Sequence, residues 1–169
     1  GIHRQGTVTE MSRQLFDRVM AVNATGSFVT ARVAARAMIE TGGGGSISLI
    51  GSMNSVAVSM AGQAAYAASK GAVLMLGKTL AVDWASLGIR VNVVLPGVTD
   101  TPLSRPSLTD PSSRSSVLSK VPLGCPARPE DIADVIGFLA SPAAAYLTGA
   151  AIPVDGGQLA LTSSYPWVH

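Results

Sequence analysis

The residues in this sequence best suited to chemistry are Tyr66 and Lys70, in the run Tyr66-Ala67-Ala68-Ser69-Lys70. Four apart on a helix, they share one face. A free phenol titrates at about 10, and a neighbouring ammonium favours the phenolate and lowers that value. A tyrosine so placed can exchange a proton with an alcohol or a carbonyl near neutral pH. The pair by itself is also what an exposed lysine beside a packed tyrosine would give. Ser52 follows a short apolar run, fourteen residues before Tyr66, and its hydroxyl can hydrogen-bond a substrate oxygen. Ser55 is its rival.

The elements that must position these groups are legible from periodicity. Thr9 to Ile39 has apolar residues at helical spacing, with Ser12 or Thr9 as N-cap. Asn23-Ala24-Thr25-Gly26 interrupts that run with weak helix formers, so a distortion is predicted there. Gly42 to Gly45 precedes a strand, whereas a phosphate-binding loop follows one, so it reads as a connection. Ser46 to Ile50 is a strand, Gln63 to Leu87 a long Ala-rich helix stopped by Gly88, and Arg90 to Leu95 a second buried strand ended by Pro96-Gly97. Thr101 to Pro122 is Ser- and Pro-rich and is expected to be a mobile loop. Pro129 to Ala140 is a helix with acidic residues in its first turn, and Ala150 to Val154 a third strand before Asp155-Gly156-Gly157.

Helices between short apolar strands imply right-handed crossovers and a parallel sheet. Ligands of open α/β sheets bind beyond the carboxyl ends of the strands. Ser52, the Tyr66/Lys70 helix and the Pro96-Gly97 turn would gather at that edge.

With these motifs in order along the chain, the sequence resembles the short-chain dehydrogenases/reductases. The likeness runs from Gly1 to Gly157. It rests on Val22-Asn23-Ala24-Thr25-Gly26-Ser27-Phe28, Ile47 to Ser52, Tyr66 to Val73, Gly88 to Gly97, Thr99-Asp100-Thr101, Arg128 to Ala133, and Thr148-Gly149 through Gly157. The resemblance implies an α/β, Rossmann-like, doubly wound parallel sheet. It implies only the C-terminal half of one, with about three strands and flanking helices in a single partial domain, residues 1–169.

The resemblance also implies roles. Tyr66 would be the general acid/base, Lys70 would lower its pKa and bond the nicotinamide ribose, and Ser52 would polarise the substrate carbonyl. Asn23 would hold a water of the proton relay through its backbone. Gly1, Tyr66, Lys70, Pro96, Gly97, Thr99 and Thr101 would contact NAD or NADP. Ser52, Asn54, Tyr66 and Val98 would face the substrate, an alcohol or ketone. Gly1-Ile2 looks like the end of the family's Asn-Asn-Ala-Gly motif. The glycine-rich pyrophosphate loop would then lie in a missing N-terminal segment, and this chain alone would be inactive. A homodimer or homotetramer is implied as well. The loop Thr101–Pro122 and, within the C-terminal tail 158–169, Tyr165 to His169 would shape the substrate pocket.

Composition narrows the alternatives. The 169 residues are 47% hydrophobic and 13% charged, with mean hydropathy +0.38, which excludes a disordered chain. The net charge is +2 with no Lys/Arg cluster, so nucleic-acid binding is not expected. The uncharged stretches Thr41–Ser69 and Val135–Val154 are broken by polar residues, Gly and Pro, so no membrane partner is expected. A single Cys125 suggests a reducing, cytoplasmic setting and no cysteine-rich metal site. A hydrolase built on Ser52 lacks a Gly-x-Ser-x-Gly elbow, and His3 and His169 lie at the ends of the chain. The competing reading is a truncated, non-catalytic fragment acting only through subunit association.

Overall fold

A computed structural model describes residues 1–161; the tail residues Tyr165 to His169 read above as pocket-forming lie outside them. The first helix, α1 (Arg13–Met20), begins where Ser12 caps it by accepting the Leu15 N–H. The predicted distortion is a π-helical turn, Ala21–Thr25, continuing into α2 (Gly26–Thr41). β1 is Gly45–Ile50, α3 Ala64–Trp84, and β2 Ile89–Pro96. Gly88, at φ 71°, makes the left-handed turn between α3 and β2.

The Ser- and Pro-rich segment expected as a loop instead folds two short helices, α4 (Arg105–Thr109) and α5 (Pro111–Leu118). Pro106 and Pro111 sit in the first turns, where a missing N–H costs nothing and the fixed φ suits the helix. Asp110 caps α5 by accepting the Ser113 N–H at 2.8 Å. α6 (Pro129–Ala140) and β3 (Ala151–Val154) complete the described elements.

The three strands are parallel in the order β1-β2-β3. Alternate residues of β2 explain why both faces must be covered. Ile89, Val91, Val93 and Leu95 pack against α2 and α3, while Val94 packs against Ile132 and Leu139 of α6. Each such fully buried side chain contributes about 1.5–3 kcal/mol. Gly77 lets α3 lie close on the sheet, since a Cβ there would collide with Val93. Asn92, fully buried on β2, pins the approach to β3: its amide donates to the Leu147 carbonyl at 2.8 Å and accepts the Ala150 N–H at 3.1 Å. The sheet is therefore doubly wound, and both helix layers leave its carboxyl edge open. Among the described residues, β1 pairs on one side only, and no helix is long and apolar enough to cross a membrane.

Candidate active site

Ser52 lies just beyond β1. Gly51 continues the pairing by donating to the Val94 carbonyl at 2.8 Å, and a Cβ there would meet Leu95, Ser55 and Val93. Ser52 then caps a single turn of 3₁₀ helix, accepting the Asn54 N–H at 3.1 Å. The rivalry between the two serines is resolved by their partners. Ser55 Oγ accepts the Ser52 N–H and donates to the Lys70 carbonyl at 2.8 Å, so it ties the turn to α3. Ser52 lines a cavity of about 560 Å³ instead.

Tyr66 and Lys70 reach the same cavity from the first turns of α3. Lys70 is buried, and its Nζ donates to the Ile50 carbonyl at 2.8 Å, 5.8 Å from the centre of the Tyr66 ring. Here the electrostatics differ from the sequence expectation. Burial pushes the Tyr66 phenol above its ordinary pKa, and the Ser52 hydroxyl pulls it partly back. Burial lowers Lys70. The ammonium is spent on a strand carbonyl and stands over the ring, so in this chain desolvation outweighs it.

Gly1, Pro96, Gly97, Val98, Thr99 and Thr101 all line the cavity, as does Asn54. The Pro96–Thr101 turn is fixed by a parallel bridge of Thr99 with Ala127 and by the Ala127 N–H on the Val98 carbonyl at 2.9 Å. Asn23 is the exception. It is buried behind Gly1, outside the cavity wall, and its carbonyl accepts the Ser27 hydroxyl at 2.7 Å. Its side chain bonds Ile2 and Ser69.

The structure adds residues that sequence reasoning passed over. His3 meets the Tyr66 ring edge-on, centroids 4.9 Å apart, and burial followed by the charge of Arg4 lowers its pKa. Its Nε2 is buried without a partner among the described residues. Gln63 lies three residues before Tyr66, a spacing that could have marked it as sharing the tyrosine's helix face. Its Oε1 accepts from Asn54 Nδ2 at 2.6 Å and Ser59 Oγ at 3.1 Å. Lys120 and Gln158 enter from distant segments, which no local pattern signals. Among the described residues, no group of His, Cys, Asp and Glu could hold a metal ion.

A phenol, a serine hydroxyl and a lysine thus share one cavity at the carboxyl edge of a parallel sheet. The family model described as enoyl-(acyl carrier protein) reductase matches residues 1–158, and the chain belongs to the short-chain dehydrogenase/reductase family. It is 40% identical over 161 residues to the (3R)-3-hydroxyacyl-CoA dehydrogenase of Mus musculus, covering 93% of this chain and 60% of that protein. It is 41% identical over 165 residues to the 2-(S)-hydroxypropyl-CoM dehydrogenase 3 of Xanthobacter autotrophicus, covering 95% of this chain and 64% of that one. A gluconate 5-dehydrogenase from Burkholderia cenocepacia, solved with NADP and tartrate, superposes with a TM-score of 0.89 at 34% identity, covering 96% of this chain and 63% of that one. The chain therefore spans less than two thirds of the length of these relatives.

Proposed function

We propose that this chain carries the proton-transfer half of an NAD- or NADP-dependent oxidoreductase that interconverts an alcohol and a ketone. The observation that carries this reading is the meeting of Ser52, Tyr66 and Lys70 on one cavity wall beyond β1. The two sequence relatives named above are dehydrogenases, and the solved relative named above holds NADP.

The cavity fits a nicotinamide on its Gly1, Lys70 and Pro96–Thr101 side. A Cβ at Gly1 would lie 2.8 Å from Asn23 Oδ1 and 3.7 Å from Lys70 Nζ, so that wall admits no side chain. Lys70 uses one donor on Ile50, which leaves two for a ribose. Gly1, Tyr66, Lys70, Pro96, Gly97, Thr99 and Thr101 are the residues assigned to hold it. The nicotinamide, when bound, supplies hydride acceptance or donation.

Ser52 orients the substrate oxygen. Tyr66 takes the hydroxyl proton in alcohol oxidation and returns one to the carbonyl oxygen in reduction. Asn54 and Val98 border the substrate. Asn23 acts as a positioning residue that holds Ile2, and through it Gly1 and His3. A segment outside these residues would cradle the adenosine half and pair with the open edge of β1; the shorter span relative to the family and that open edge support this. A cytoplasmic location suits the free, exposed thiol of Cys125.

The test is Tyr66→Phe in the complete protein, followed by nicotinamide absorbance. Turnover is expected to fall by about 10²–10⁴-fold. Retained turnover defeats the assignment.

A second reading, association of subunits through α2 and α3, draws on their exposed apolar side chains. Val33 is 59% exposed, Met75 59% and Val82 79%. Light scattering is expected to give a dimer or tetramer; a monomer would count against it.

A further inference from the structure

We infer that the substrate is a hydroxy acid whose carboxylate is taken by Lys120. This inference rests on the oxidoreductase reading and names its substrate class. Among the described residues, the cavity wall contains two lysines, Lys70 and Lys120, and no aspartate or glutamate. Lys70 donates to the Ile50 carbonyl, stands against the Tyr66 ring, and has its remaining donors assigned above to the ribose. Lys120 takes part in no ion pair among the described residues.

Lys120 lines the same cavity as Tyr66. Its Nζ crosses from the end of the α4–α5 segment to donate to the Ser59 carbonyl at 2.9 Å. Two of its three N–H groups remain. The Ser59 hydroxyl in turn donates to Gln63 Oε1, which also accepts from Asn54. Both acceptances fall on the Gln63 oxygen, so its amide N–H groups have no partner among the described hydrogen bonds. Lys120 and Gln63 thus present donors to one stretch of wall, and a carboxylate supplies the acceptors and the missing negative charge. Asn54 Oδ1, buried on the same wall without a donor among the described residues, is left to accept from a hydroxyl. An anion alone would not satisfy it; a hydroxy acid does.

The experiment uses the complete protein and two measurements. Steady-state kinetics compare 3-hydroxybutyrate with 1,3-butanediol, its neutral counterpart, in the wild type, Lys120→Met and Lys120→Arg. The acid is expected to be preferred in kcat/KM. Lys120→Met is expected to cut the acid-to-alcohol ratio by about tenfold or more, mainly through KM for the acid, and Lys120→Arg to restore most of it. Independently of turnover, succinate is titrated against ¹⁵N-labelled protein without cofactor. Saturable shifts at Ser59 and Lys120, absent in Lys120→Met, are expected. Tyr66-dependent turnover with no acid preference, or with a ratio that Lys120→Met leaves alone, overturns the inference and leaves the oxidoreductase reading standing. Succinate binding without nicotinamide-linked turnover overturns that reading and with it the hydroxy-acid substrate, leaving only a carboxylate site at Lys120. Neither binding nor turnover overturns both.

Discussion

Asn23 holds Ile2 by both of its backbone groups. The Ile2 N–H donates to Asn23 Oδ1 at 2.8 Å, and Asn23 Nδ2 donates to the Ile2 carbonyl at 2.9 Å. The same Nδ2 donates to Ser69 Oγ at 3.0 Å. A side-chain amide thus pairs with an extended segment as a neighbouring strand would. The π-helical turn is what presents it, and Gly1 and His3 reach the cavity because Ile2 is anchored between them.

Asn23→Ala removes these bonds from a buried site and strands the Ile2 amide. Stability is expected to fall by about 2–3 kcal/mol. The check is the urea midpoint at unchanged slope, together with faster amide exchange at Ile2. Unchanged exchange at Ile2 would show that the segment is held by something else.

Tyr66 sets a pH dependence whose sign follows from its surroundings. Burial raises the phenol above its ordinary 10.0 and Ser52 lowers it. On the proposed roles, alcohol oxidation needs the phenolate, so its rate is expected to rise with pH through that pKa, and ketone reduction, which needs the phenol, to fall. Ser52→Ala removes the lowering contact. The rising limb for oxidation is expected to move to higher pH, and reduction to persist further into the alkaline range. Profiles of kcat/KM for both directions decide; a limb that moves to lower pH contradicts the geometry.

Gly97 meets Asp155 where β2 and β3 end. A Cβ would lie 2.7 Å from Asp155 Cα and 2.8 Å from its Cβ. Asp155 cannot readily yield, since its carboxylate accepts the Gly157 and Leu159 N–H groups at 3.0 and 2.7 Å. Gly97→Ala is expected to cost about 1–3 kcal/mol. Thermal unfolding reads this, and a neutral result would mean that the strand ends separate freely.

Asp110 is exposed, and hydrogen bonds from Ser112 and Ser113 hold its carboxyl down to about 2. A depressed folded value means that its cap is intact above the ordinary 3.8 and is lost as pH falls towards 2. Amide exchange across α5 is expected to accelerate over that window, and Asp110→Asn to flatten the dependence. Equal acid sensitivity in both proteins would remove the cap from the account.

The sequence by itself determined the elements whose causes are local. α6 was legible to the residue because Pro129, the acidic first turn and the Arg128 N–H on Asp131 at 2.7 Å all lie within four positions. The strands, the break at Asn23 and the Tyr66/Lys70 face were legible for the same reason. Pro106 and Pro111 misled, because proline both ends one element and opens the next. Tertiary structure alone decided which serine faces the cavity, that the Asn23 side chain is taken up by Ile2 and Ser69, and that His3 and Lys120 join its wall. It also reversed the sign of the Tyr66 shift. Hydrogen-bond capping and helical periodicity act over a few residues. Desolvation and the walls of a cavity sum over neighbours that only the packed chain brings together.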